Sequence, residues 1–181
     1  MASASAGDTF TAIALSAYLY SAIVSREPTA DSALAITSAA NPNDKTYASQ
    51  KKAGSILKKL FKEQPNHPGI AHYVIHTYDY PEIAEEALAT ARRYAEIAPA
   101  SAHAQHMPSH IFTRLGLWQE SINTNINSAS SAICYAESTN ANATWAQEVH
   151  AVDYLVYAYL QMGNNKKAQE ELQEMQAVKT I

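Results

Sequence analysis

Two turn segments decide the fold of this chain: Leu115-Gly116-Leu117-Trp118-Gln119-Glu120-Ser121-Ile122 and Gln161-Met162-Gly163-Asn164-Asn165-Lys166-Lys167-Ala168. Each segment places a glycine directly between two stretches of helical pattern, which is where one helix ends and the next begins. The two glycines are 47 residues apart, 163 minus 116. Because the same turn recurs along the chain, we expect the protein to be built from repeated pairs of helices.

Helical spacing of apolar residues continues on both sides of these turns. In the stretch from Thr46 to Phe61, apolar side chains recur at i, i+3, i+4 and i+7, and lysines occupy the opposite face. The same spacing marks three further stretches: Ile83 to Ile97, Trp145 to Met162, and Asn164 to Val178. These patterns predict an all-α protein, and in the last stretch they predict that Leu172 faces inward.

Composition excludes several classes of protein. The 181 residues are 47% apolar, which is enough for one domain with a hydrophobic core. The net charge of -4 and the lack of a basic stripe argue against a nucleic-acid partner. The single Cys134 excludes an internal disulfide framework and a multi-cysteine zinc site. No Lys or Arg precedes the uncharged stretch from Thr9 to Ser25, so we expect a buried helix there, with no signal peptide, no membrane span and a cytoplasmic location.

The breaks between helices carry a family resemblance. Pro65 and Pro99 are 34 residues apart (99 minus 65), and a 34-residue period of helix pairs is that of tetratricopeptide repeats. The two quoted segments resemble the turn and second-helix start of such a repeat. The resemblance implies a right-handed α-solenoid of about three to four stacked antiparallel helix pairs. It predicts a single TPR-like domain with these parts: a degenerate helix pair at 8–65, a repeat at 66–101, a repeat with an insertion at 102–148, and a repeat at 149–181.

Histidine-rich phrases extend the resemblance. The phrases His67-Pro68-Gly69…His72-Tyr73…His76 and His106-Met107-Pro108-Ser109-His110 are similar to those of an uncharacterised group of bacterial repeat proteins. Asn66 or His67, directly before Pro68, is expected to cap a helix. Pro108 predicts either that a new helix begins there or that a helix starting at Ser101 is kinked. Both alternatives change the direction of His103 and His106 relative to His110.

The histidines form a periodic set. His72 and His76 are i, i+4 neighbours, as are His106 and His110, and the second pair follows the first by 34 residues (106 minus 72, 110 minus 76). In tetratricopeptide repeats the first helix of each pair lines a concave groove. The resemblance therefore implies that six of the seven histidines face this groove: His72, His76, His103, His106, His110 and His150. It places further polar residues there as well: Asp79, Tyr80, Arg114, Asp153 and Tyr157.

This pattern predicts a metal site. Neutral imidazole binds zinc, copper and iron, and two histidines at i, i+4 can chelate one ion. The predicted ligands are His72, His76, His106 and His110, followed by His103, His150 and Asp153. Asp79, Tyr80, Arg114 and Tyr157 are predicted to line the groove as ligand-binding residues. The favoured hypothesis is therefore that the protein binds a divalent transition metal. An extended form of this hypothesis is a metalloenzyme that acts on a small-molecule substrate. The sequence does not choose between zinc, copper and iron.

Two other classes of function remain open at this point. The first is a scaffold that binds a protein or peptide partner in the groove, with structural or pH-sensing histidines. The second is a metal-free enzyme that uses histidine as a general base with Tyr or Asp. The last predicted helix has no polar capping helix after it, so we also expect either a longer chain or a homo-oligomer.

Overall fold

The computed structural model describes residues 29–139 and 143–178, which form α-helices, one 3-10 helix and turns, without a strand in these ranges. They fall into two compact units, the first ending at Tyr78 and the second beginning at Asp79. Within the described ranges, no helix combines the length and the apolar character that crossing a bilayer requires. The predicted helix from Thr9 to Ser25 lies outside the described residues.

The described part of the first unit contains three helices: α1 (Ala30–Ser38), α2 (Ala48–Glu63) and α3 (Pro68–Thr77). Helix α2 buries Ala53 and Leu57 and exposes its lysines, as the spacing predicts. Helix α3 has Pro68 in its first turn, where a missing N–H leaves no hydrogen bond unmade. The Nδ1 atom of His67 accepts a hydrogen bond from the backbone N–H of Ile70 at 3.3 Å, which confirms His67 as the predicted cap.

The described part of the second unit contains a 3-10 helix (Ala84–Ala87) and six α-helices: α4 (Leu88–Ile97), α5 (Ala102–His106), α6 (Pro108–Arg114), α7 (Trp118–Ser138), α8 (Ala146–Gln161) and α9 (Asn165–Ala177). The single helix predicted from Ile83 to Ile97 is therefore divided into a 3-10 turn and α4. Tighter 3-10 turns are frequent at the ends of α-helices, and the burial pattern is continuous across this junction.

Helix α7 organises the second unit. It packs against α5, α6 and α8, and α8 also packs against α9. Ile122, Leu155 and Ala158 form a buried cluster, with Trp118 and Tyr159 partly buried against it. Side chains of α5, α6 and α8 therefore meet around α7.

Helix α9 is buried less than the sequence predicts. Ala168 is its one buried residue, and Leu172 is 42% exposed. The prediction that Leu172 faces inward is wrong, because within the described chain α9 packs mainly against α8 and needs only a narrow apolar stripe.

The two turn glycines have the same conformation. Gly116 and Gly163 both have φ of 70°, which a residue with a Cβ adopts only at a cost. After each glycine, the next backbone N–H bonds to the carbonyl five residues earlier: Leu117 to Phe112 at 2.8 Å, and Asn164 to Tyr159 at 2.9 Å. This is the hydrogen-bond pattern of the Schellman motif, so the structure confirms the repeated turn expected from the two quoted segments.

Candidate metal centre

Pro108 marks the junction between the two helices that carry His106 and His110. Helix α5 ends at His106 and α6 begins at Pro108, and Met107 between them keeps helical angles (φ -50°, ψ -39°). Of the two alternatives for Pro108, the structure has the new helix, which follows the preceding one without an intervening loop. Because the chain remains helical through Met107, His106 and His110 stay one turn apart on the same face.

Three histidines from two neighbouring parts of the fold meet beside this junction. His106 and His110 come from α5 and α6, and His150 comes from α8. One nitrogen from each ring can be chosen so that all three atoms lie within 4.8 Å of one another. His106 is fully buried, His110 is partly buried and His150 is exposed, so the cluster runs from the core of the unit to its surface.

Asn125 of α7 determines which nitrogen of His106 carries the proton. The Asn125 Nδ2 atom donates to the Ser121 carbonyl at 2.8 Å, which fixes the orientation of this fully buried amide. Its Oδ1 atom therefore faces His106 Nδ1 at 2.7 Å and acts as acceptor. Nδ1 of His106 must then be the donor, and in the neutral ring Nε2 keeps its lone pair.

Asp79 determines which nitrogen of His110 carries the proton. An Asp79 carboxylate oxygen lies 3.0 Å from His110 Nδ1, and the other oxygen accepts a hydrogen bond from Arg114 Nε at 2.8 Å. A carboxylate only accepts hydrogen bonds, so His110 Nδ1 is also a donor. The neutral His110 ring therefore presents Nε2 as a lone pair as well.

The two lone pairs face each other. His106 Nε2 and His110 Nε2 are 3.1 Å apart, which is hydrogen-bond distance, although neither neutral ring has a proton to donate there. Two nitrogens bound to one tetrahedral zinc at about 2.0–2.1 Å are roughly 3.3 Å apart. The pair therefore requires either an extra proton or a cation, and its spacing is close to that of two metal ligands.

Burial determines the charge of two of the three rings. Burial lowers the pKa of His106 to about 3, and burial together with the neighbouring His110 lowers the pKa of His150. These two rings are therefore neutral at neutral pH and can act as ligands. Burial raises the pKa of Asp79, but hydrogen bonds from His110 and Arg114 outweigh that effect and leave the pKa below its usual value. Asp79 is thus an ionised partner for His110.

Tyr154 of α8 contacts all three rings of the cluster. Its ring centroid is 4.6 Å from that of His106, 5.5 Å from that of His110 and 5.4 Å from that of His150. Its hydroxyl oxygen lies 3.5 Å from His110 Nδ1. Burial, followed by the charge of Asp79, raises the pKa of Tyr154, so the phenol keeps its proton at neutral pH.

Four other predicted ligands lie outside this three-residue group. His72 and His76 belong to the first unit, where their ring centroids are 4.5 Å apart. The ring of His103 is 6.5 Å from that of His106, and Asp153 is exposed on α8. Metal binding by these four residues stays a prediction, since the described residues form one group of three or more candidate ligands and it does not include them.

The predicted groove residues have different environments. Asp79 and Arg114 pair with each other beside the cluster, and Tyr157 is 47% exposed on α8. Tyr80 is 38% exposed, one residue after Asp79. Sequence reasoning missed Asn125, although a signal was present: a polar residue three positions after Ile122, on the buried face of a long helix.

Comparisons with known proteins bear on the fold. No family model matches the chain, and no curated protein matches it. Solved structures of MamA are similar to this chain. MamA (41-end) from Desulfovibrio magneticus RS-1 is 15% identical with a TM-score of 0.62, and the match covers 94% of this chain and 85% of that one. MamA of AMB-1 is 14% identical with a TM-score of 0.59 and coverages of 93% and 90%, and MamA of MSR-1 is 12% identical with a TM-score of 0.56 and coverages of 81% and 84%. With the helix pairs described above, this likeness confirms the all-α, TPR-like fold.

Proposed function

We propose that the second unit binds a divalent transition metal through His106, His110 and His150. The observation that carries this proposal is the contact between two Nε2 atoms at 3.1 Å, each on a ring whose Nδ1 proton is already engaged. A metal ion accepts both lone pairs and removes their repulsion.

The surrounding hydrogen bonds match those of metal-bound histidines. Such histidines usually donate their other ring N–H to a carboxylate or a carbonyl oxygen, which fixes the tautomer and orients the ring. His110 donates to the Asp79 carboxylate, and His106 donates to the Asn125 side-chain carbonyl. Both rings are therefore held with their Nε2 atoms close together before any metal binds.

His150 supplies the third nitrogen and determines access. Because His150 is exposed and His106 is fully buried, an ion would enter from the side of His150. Three histidines leave a fourth tetrahedral position open, which is the ligand pattern of catalytic zinc sites. Imidazole also suits copper, iron and nickel, so the ligand set defines a class of metals.

Titration of zinc into protein purified without a histidine tag tests the proposal. His150→Ala removes an exposed ligand at little risk to folding, and His76→Ala is the matched control on an equally exposed histidine of the first unit. We expect one equivalent of zinc to bind the wild-type protein and His76→Ala, with binding by His150→Ala weakened at least tenfold.

Two outcomes would contradict this assignment. No binding of zinc or copper at micromolar concentration would mean that a shared proton joins the two Nε2 atoms. Equal losses in His76→Ala and His150→Ala would place the metal elsewhere. Isothermal titration calorimetry and elemental analysis of the purified protein distinguish these cases.

A second candidate function is protein binding, supported by exposed apolar side chains. Tyr157, Leu160 and Met162, near the end of α8, are 47%, 51% and 49% exposed. Contiguous exposed apolar side chains mark interaction surfaces more often than isolated ones do. A partner bound here would be retained in the presence of a chelator and lost in Leu160→Asp, whereas a partner bound through the metal would be released by the chelator.

A further inference from the structure

Arg114 uses only part of its hydrogen-bonding capacity inside the protein. Its Nε atom donates to Asp79 at 2.8 Å, and its terminal nitrogens make no hydrogen bond to the described residues. The side chain is 44% exposed, and its charge is held by Asp79, which raises the pKa of the guanidinium. Arg114 therefore presents a fixed fork of donors beside the histidine cluster.

Tyr154 presents a second donor at the same place. His110 directs its Nδ1 proton to Asp79, so the Tyr154 oxygen at 3.5 Å has no lone pair of His110 to donate to. Its O–H proton remains available for another acceptor. Arg114 and Tyr154 flank the same pair of groups, because Arg114 Nε bonds to Asp79 at 2.8 Å and the Tyr154 oxygen lies 3.5 Å from His110 Nδ1.

The local charge balance favours an anion once a metal is present. A divalent ion on three neutral histidines keeps its +2 charge, and the ion pair of Asp79 and Arg114 adds nothing. The exposed Asp153, which precedes Tyr154, lowers the sum to +1. A positive site with an open coordination position and unused donors is complementary to a negatively charged group.

We propose that this site takes a small oxyanion, a carboxylate or phosphate group, held by the terminal nitrogens of Arg114 and the hydroxyl of Tyr154 at the open position of the metal. The planar guanidinium fork matches the paired oxygens of such groups. The metal-bound part of this proposal rests on the proposed function, whereas the contacts from Arg114 and Tyr154 do not need the metal.

The test uses two probes that carry one methyl group each, acetate for the carboxylate and methylphosphonate for the phosphate. Broadening of the methyl proton signal on titration with protein reports binding, with and without one equivalent of zinc. Arg114→Gln and Tyr154→Phe remove one donor each. Arg92→Gln and Tyr135→Phe are the matched controls, because Arg92 pairs with Glu120 at the surface and Tyr135 is exposed on α7.

We expect saturable binding of one probe, and the probe that binds identifies the group. Probe affinity should fall about tenfold or more in Arg114→Gln and Tyr154→Phe, by more than any change in their zinc affinity, while the probe affinity of both control variants remains unchanged. Probe binding that persists without zinc and still needs Arg114 would support the anion site even if the protein binds no zinc. Zinc binding without saturable binding of either probe would overturn the anion site alone. Losses of probe affinity that only parallel losses of zinc affinity would overturn it too.

Discussion

Replacing Asn125 by leucine tests whether the second helix of the pair prepares His106 for a metal. The substitution keeps the number and branching of heavy atoms in a side chain that is fully buried. It removes the oxygen that accepts the His106 Nδ1 proton at 2.7 Å, and water cannot replace that oxygen at a ring that is also fully buried.

The magnitude follows from the two tautomers of His106. With Nδ1 protonated against leucine, a buried donor loses its partner, which costs about 1–3 kcal/mol. Without metal, the ring can move its proton to Nε2 and donate to His110 at 3.1 Å, so we expect the loss of unfolding free energy to lie at the lower end of this range. Zinc binding requires the lone pair at Nε2 and therefore the costly tautomer. We expect zinc affinity to fall about 10–100-fold, the usual effect of losing a hydrogen bond to a metal-bound histidine.

Two measurements separate these effects. Urea unfolding followed by circular dichroism gives the stability of the metal-free protein, and calorimetric titration gives zinc affinity. Asn127→Leu is the control, because Asn127 is exposed on the same helix. Zinc affinity within twofold of wild type in Asn125→Leu would refute the proposed role of Asn125. An equal loss in Asn127→Leu would mean that the effect comes from α7 in general.

Three further predictions concern the scaffold. Gly54→Ala should lower the free energy of unfolding of the first unit, measured in urea, by about 1–3 kcal/mol, because the added Cβ would overlap the Tyr78 ring. Alanine has the better helix propensity, so a stabilised variant would show that this packing is wrong. Burial lowers the pKa of His67 from its usual 6.5, so its contribution to stability should be complete above pH 6.5 and decrease as the pH falls, because the unfolded chain then binds the proton more readily. His67→Asn keeps a cap that does not titrate, so unfolding measured between pH 7 and pH 5 should vary less with pH in this variant than in the wild type. Gly163→Ala should lower the free energy of unfolding by about 1 kcal/mol and Gly163→Asn by less. A Cβ at position 163 would meet nothing within 4 Å, so only the φ of 70° opposes these substitutions, and asparagine tolerates that angle better than alanine. Equal thermal stability of both variants would contradict this.

Local features of the fold could be read from the sequence because they depend on neighbouring residues. The helix from Trp145 to Met162 is observed as Ala146–Gln161, since a 3.6-residue apolar period is a property of one segment. The positive φ of Gly116 and Gly163 follows equally from chain-local geometry. The prediction that Leu172 faces inward was wrong because the burial of this side chain depends on how many helices pack against α9.

The partners in the site could not be read in the same way. The groove pattern placed Asp79 and Arg114 near histidines, but it did not predict that these two residues pair with each other. Asn125 lies on the second helix of its pair, which the pattern does not assign to the groove. Its contact with His106 exists only because α7 packs against α5.

The sequence by itself determined an all-α chain of helix pairs, the turns at its glycines and a set of histidines with one period. Those properties follow from spacing along a single helix. Tertiary structure decided that His106, His110 and His150 converge and that Asn125 and Asp79 hold the protons of the first two. Ring tautomers depend on acceptors that are distant in sequence. The Nε2 lone pairs of His106 and His110 therefore face each other only because α5, α6 and α8 pack around α7, with Asp79 beside them.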